Sequence, residues 1–108
     1  MSKLDKVKKY AEKGKEDKLI ALANDSDKEV RIAAIHGLAS IGKEDSFNAL
    51  IHMMDDSDTD IKISVIEALG NSHSSYADTH LRYALAHETD AKIQDAIRKA
   101  LAALKESM

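Results

Sequence analysis

Residues 30–42 read VRIAAIHGLASIG, and the same spacing of apolar side chains returns in IKISVIEALG at 61–70 and in IQDAIRKALAAL at 93–104. Aligning Val30 with Ile61 and Ile93, and Leu38 with Leu69 and Leu101, gives steps of 31 and 32 residues. A fixed step of that size marks an array of small units, none of which can bury its apolar face alone. At about 100° per residue, Val30, Ala33, Ala34, Gly37, Leu38 and Ile41 gather on one side of a helix, with Ile32, His36 and Ala39 opposite. The first group is the expected core.

Each copy is preceded by a polar turn and a shorter helix. NDSDKE at 24–29 pairs Ser26 with Glu29 as a capping box, and DDSDTD at 55–60 pairs Ser57 with Asp60 in the same way. Thr89 takes that place before the last helix. The preceding helices are expected over Gly14–Ala23, with Leu19, Ile20 and Leu22 inward, and over Asp45–Met54, with Phe47, Leu50, Ile51, Met53 and Met54. A third, over Tyr76–His87, turns in Leu81, Leu85 and either Tyr83 or Ala84. Ser2 and Asp5 open a further helix whose Leu4, Val7 and Tyr10 lie 31 places before Ile35, Leu38 and Ile41, so it reads as the second half of an incomplete repeat. The extra residue of the third step is assigned to the polar connection Asn71–Ser75. One domain over 1–108 follows, with a capping helix at 2–13 and repeats at 14–42, 43–73 and 74–106. The fold class is all-α, with about three and a half repeats and seven helices.

Composition agrees. The chain has 108 residues, 44% of them apolar, with four aromatic side chains, no proline, no cysteine and four glycines, which leaves little punctuation for a many-stranded fold. Disulfides and thiolate metal sites are excluded. Residues 1–18 hold seven lysines against four acids, 19–60 three basic against nine acidic groups, and 61–108 six of each. Without a basic face, nucleic acid is a disfavoured partner. No apolar run approaches the length of a membrane span, and MSKLDKVKKY lacks the apolar centre of a signal peptide, so a cytoplasmic protein is expected.

The order of acidic turn, Val-Arg, small apolar pairs, small-Leu and Ile-Gly resembles HEAT repeats, in the short subtype also found in bilin lyases. The resemblance covers about residues 14–106. Residues 24–42 carry it most specifically, 55–70 well, and 87–104 in weakened form, with Gln94 replacing the basic residue. It implies a right-handed α-α superhelix of paired antiparallel helices that binds other proteins, with the second helix of each pair on the concave side.

Candidate chemical sites reduce to scaffold. DSDTDIKISVIE at 56–67 places acids as a calcium loop does, but Ile61 stands where such a loop needs glycine, and the repeat register requires helix there. HEAT-like hydroxylases hold a di-iron centre on His-Glu pairs after Val-Arg; the corresponding places here are Ile32-Ala33, Ile63-Ser64 and Asp95-Ala96. The one His-Glu dipeptide, His87-Glu88, lies in a turn. His80 and His87 lack third and fourth zinc ligands, no nucleophile motif accompanies His36, His52 or His73, and HEAT-like DNA glycosylases need a basic, aromatic concave surface. The reading is therefore a non-catalytic scaffold, not an enzyme, with no cofactor and no metal. Its expected contact surface for an unidentified protein or peptide comprises Arg31, Ile32, His36, Lys62, Ile63 and Glu67. The alternatives are an accessory or lyase-like protein acting on a bound cofactor, or a module that self-associates weakly through its exposed repeat ends.

Overall fold

A computed structural model describes residues 1–107. They form seven α-helices and no strand: α1 Lys3–Glu12, α2 Glu16–Leu22, α3 Lys28–Ile41, α4 Glu44–Met53, α5 Thr59–Gly70, α6 Ser75–His87 and α7 Ala91–Ser107. Among them no helix is long and apolar enough to cross a membrane. The body measures 40 × 29 × 18 Å, the elongated outline of stacked helix pairs.

Val30, Ile61 and Ile93 are all buried, and so are Leu19, Leu50 and Leu81 on α2, α4 and α6. One apolar interior therefore runs through all three repeats, between a layer of second helices (α1, α3, α5, α7) and a layer of first helices (α2, α4, α6). The second helices pack closely side by side, whereas α2 and α4 touch over a short stretch and α4 and α6 over less. A stack that is tighter in one layer bends towards that layer, which puts α1, α3, α5 and α7 on the inner side. Small residues permit the close approach: Gly37 faces Leu19 and Ala11, and Gly70 lies directly against Ala100.

Several expectations are corrected. Ala39 is buried, not outward. α3 has neighbours in α1, α2, α4 and α5, so its covered arc is wider than the single stripe of a surface helix. Leu4 is 40% exposed although Val7 beside it is buried, and of the two choices on α6 it is Ala84 that packs inward while Tyr83 is 67% exposed.

The turns cap differently from the expected boxes. Ser2 and Asp5 do form one. In α3 and α5, however, the caps are Asp27, accepting from the Glu29 N–H at 2.9 Å, and Asp58, accepting from the N–H groups of Asp60 at 2.9 Å and Ile61 at 3.3 Å. Ahead of α7, Asp90 and not Thr89 accepts from the Ile93 N–H at 3.0 Å. A carboxylate at a helix N-terminus gains from the helix dipole as well as the hydrogen bond, so it displaces the neighbouring serine or threonine.

The extra residue also moves. Leu19, Leu50 and Leu81 are spaced by 31, and so are Ser46 and Ala77, both buried, so the 32-residue step arises after Leu81. α6 continues to His87, three residues beyond the place corresponding to the end of α4 at Met53. The α5–α6 connection keeps the common length: His73, 31 places after Gly42, has a left-handed φ of 58° where Gly42 has 68°.

Candidate protein-binding surface

On the inner layer the repeat register arranges solvent-facing side chains in columns. Ile32, Ile63 and Asp95 form one; His36, Glu67 and Lys99 form the next; Ser40, Asn71 and Ala103 form a third. His36, Glu67, Asp95 and Lys99 are exposed, while Ile32 and Ile63 are half-buried. Ile32 also packs against the core cluster. Between α5 and α7 a shallow groove of about 340 Å³ has Ile63, Ala96 and Ala103 as its apolar lining and Glu67, Lys92, Asp95 and Lys99 as its charged walls. Lys99 pairs with Asp95 at 3.1 Å one helical turn away.

Arg31 and Lys62 take a different part. Arg31 Nη2 donates to the Asp56 carboxylate of the next repeat at 2.9 Å, and its Nε donates to the Ala23 carbonyl at 3.4 Å. Lys62, 31 places on, lies 3.7 Å from the Glu88 carboxylate of the following repeat. Both are half-buried. Lys3 with Asp25 at 2.8 Å, and Lys28 with Asp58 at 3.1 Å and Asp60 at 2.8 Å, complete a ladder of ion pairs along the turn edge. The Lys3 hydrogen bond, seconded by the Asp27 N–H, holds the Asp25 carboxyl below the usual range, and Lys3 is raised in return, chiefly by its hydrogen bond to Asp25. Lys28 lowers Asp58 in the same way and is itself raised by Asp60 and then Asp58. Of the six residues expected at the contact surface, the structure thus brings Ile32, His36, Ile63 and Glu67 together on the inner face and gives Arg31 and Lys62 partners within the array.

Lys92, Asp95 and Lys99 were missed as surface residues. The signal was available: carrying the columns of Ile32 and His36 one repeat further lands on Asp95 and Lys99. The other sequence candidates resolve into structural roles. α5 starts at Thr59, so residues 56–67 form no loop, and Asp58 serves as its cap. His87 stacks on Tyr83 with ring centroids 4.2 Å apart, and its Nδ1 lies 2.9 Å from the Tyr83 carbonyl oxygen. Glu88 accepts from the N–H groups of Thr89 at 2.9 Å and Asp90 at 3.2 Å. Among the described residues no three or more His, Cys, Asp or Glu side chains gather closely enough to hold a metal ion.

Paired antiparallel helices sharing one interior, with an inner layer of repeated columns, define an α-solenoid repeat protein. A family model of HEAT repeats matches residues 16–102, and the chain belongs to that family. No curated protein matches it.

Proposed function

We propose that this chain is a non-catalytic scaffold that binds a protein or peptide segment on the inner face of its second helices, with Ile32, His36, Ile63 and Glu67 as the principal contacts. The observation that carries the reading is Ile63. It is a large apolar side chain left half-open in a groove whose walls are charged, in register with a second such isoleucine one helix away. A β-branched apolar column on a solvated face gains nothing from water, whereas an apolar centre with a polar rim is the usual anatomy of a contact patch. HEAT repeats commonly mediate protein–protein interaction, which supports the same reading. Asp95, Lys92 and Lys99 extend the rim, and Arg31 and Lys62 hold the repeats in register behind it.

The test is the double change Ile32→Asp with Ile63→Asp. Both side chains are partly solvated, so the helical circular dichroism is kept while the melting transition falls through the lost core contacts of Ile32, and the set of proteins retained from a cell lysate by the natural chain is lost. Unchanged retention by the folded double variant contradicts the proposal.

A further inference from the structure

On the outer layer α4 and α6 meet at their N-terminal ends, where Phe47 and Tyr76 form an edge-to-face pair with centroids 6.0 Å apart. One repeat earlier the corresponding layer is tied differently, by the Ser46 N–H donating to the Glu16 carboxylate at 2.8 Å. The aromatic pair spaces α4 and α6 where the hydrogen bond draws α2 and α4 together. Towards their C-terminal ends α4 and α6 leave a groove of about 430 Å³ that reaches the core, with Ile66 and Ile97 in its floor and Ile51, Met54 and Tyr83 in its walls. That volume lies in the range of small-ligand sites.

The far end of this groove carries one uncompensated carboxylate. α4 and α6 finish there, at Met53 and His87, and α5 and α7 begin there, at Thr59 and Ala91, so the opposed partial charges of the helix ends largely offset one another. Asp55, exposed and without an ion pair among the described residues, lies at the same end. Glu88 is also there and is offset by Lys62 at 3.7 Å. His80 and His87 line the α6 wall. The named carboxylates and Lys62 leave one net negative charge, beside the exposed Tyr83 ring, whose face not stacked on His87 attracts cations.

We infer that the α4–α6 groove binds an organic cation with an apolar body: the stem lies on Ile51, Met54 and Ile97, and the ammonium or guanidinium sits between Asp55 and Tyr83. A free amine of small size and a basic side chain presented by a polypeptide share that chemistry. This site is on the outer layer and stands independently of the inner-face proposal.

The experiment is a titration of the full ¹⁵N-labelled chain at pH 8 with tryptamine, with its alcohol analogue tryptophol and with indole-3-acetate, followed by backbone amide shifts. For a ligand of this size the amine is expected to bind with a dissociation constant of about 1 mM, at least about fivefold more tightly than either analogue, with shifts confined to the facing segments of α4, α5, α6 and α7. Asp55→Asn, a surface change that leaves the melting temperature in place, removes most of that preference, and Tyr83→Ala weakens the amine severalfold. A helical peptide of leucine and lysine assigns the source: tighter binding than tryptamine at the same amides points to a polypeptide cation, weaker binding to a free amine. Equal affinity for the three indoles, or shifts centred outside the groove, overturns the inference.

Discussion

Gly70 faces Ala100 so closely that a methyl group added to it would stand 2.8 Å from the Ala100 Cβ and 2.9 Å from its Cα. The second of these is backbone and cannot swing aside, so Gly70→Ala forces α5 and α7 apart. Overpacking of this kind costs about 1–3 kcal/mol against a helix-propensity gain of about 1 kcal/mol, and a net loss of about 1 kcal/mol or more in chemical denaturation is expected. His73 presents the opposite case. Its left-handed φ of 58° is strained for a side-chain-bearing residue, so His73→Gly is expected to stabilise by about 1 kcal/mol, read as a rise in melting temperature of about 4–8 °C. Both positions show where single residues were legible. Gly42 could be read as a helix stop, and aligning it with His73 would have exposed the strain. The burial of Ala39 could not be read from α3 alone, because a periodic stripe does not say how many neighbouring helices surround it.

The turn edge belongs to the scale of elements. Each connection between a first and a second helix uses one acid to hold the turn and a second to cap the following helix, and a cation from the preceding repeat binds to the same loop. Asp25 and Asp56 accept from the N–H groups of Asp27 and Asp58, two residues on, at 3.0 and 2.8 Å. Arg31→Ala removes the bond to Asp56 and is expected to cost about 1 kcal/mol, with a coupling of about 0.5–1 kcal/mol in a double-mutant cycle with Asp56→Ala. The pH dependence has a fixed sign. Asp25 and Asp58 have folded-state pKa values below their unfolded ones, so the folded chain binds fewer protons; their contribution is present above about pH 4 and is lost as pH falls through the folded values. Acid titration of the melting temperature is expected to fall less steeply below about pH 4 in an Asp25→Asn, Asp58→Asn variant than in the natural chain. An equal slope would show that other carboxylates dominate. The sequence located these turns and the helices beside them. It misassigned the capping atoms because Ser26 and Asp27, like Ser57 and Asp58, are adjacent and both competent, and the added gain of a carboxylate from the helix dipole decides between them.

At the scale of the whole molecule, contacts run almost wholly between neighbouring helices, so stability is close to a sum of repeat and interface contributions. Ile61→Asp buries a charge in that shared interior and is expected to unfold the chain, while Ile63→Asp, two residues away, is tolerated; urea denaturation distinguishes them. The first and last helices carry like charge on the sides that face away from the array. Lys6 has the register of Gly37, which faces the preceding repeat, and Arg98 that of Ile66, which faces the groove beside α6 and α7, so Lys6 and Lys13 stand at one end and Arg98 and Lys105 at the other. End-to-end stacking brings these groups together, and the Lys6→Glu, Lys13→Glu variant is expected to associate more readily than the natural chain in sedimentation at low salt. The repeat step revealed the architecture because it constrains every helix at once. The surface was only half legible, since a long basic side chain such as Arg31 chooses between solvent and a neighbouring turn according to what that turn offers. In the proposed function the inner layer is the working surface. A photo-crosslinking side chain placed in turn at His36 and Glu67 on that layer, and at Asn48 and Thr79 on the outer one, tests this in cells. Discrete adducts from the first pair alone are predicted, and adducts from the second pair alone would contradict it.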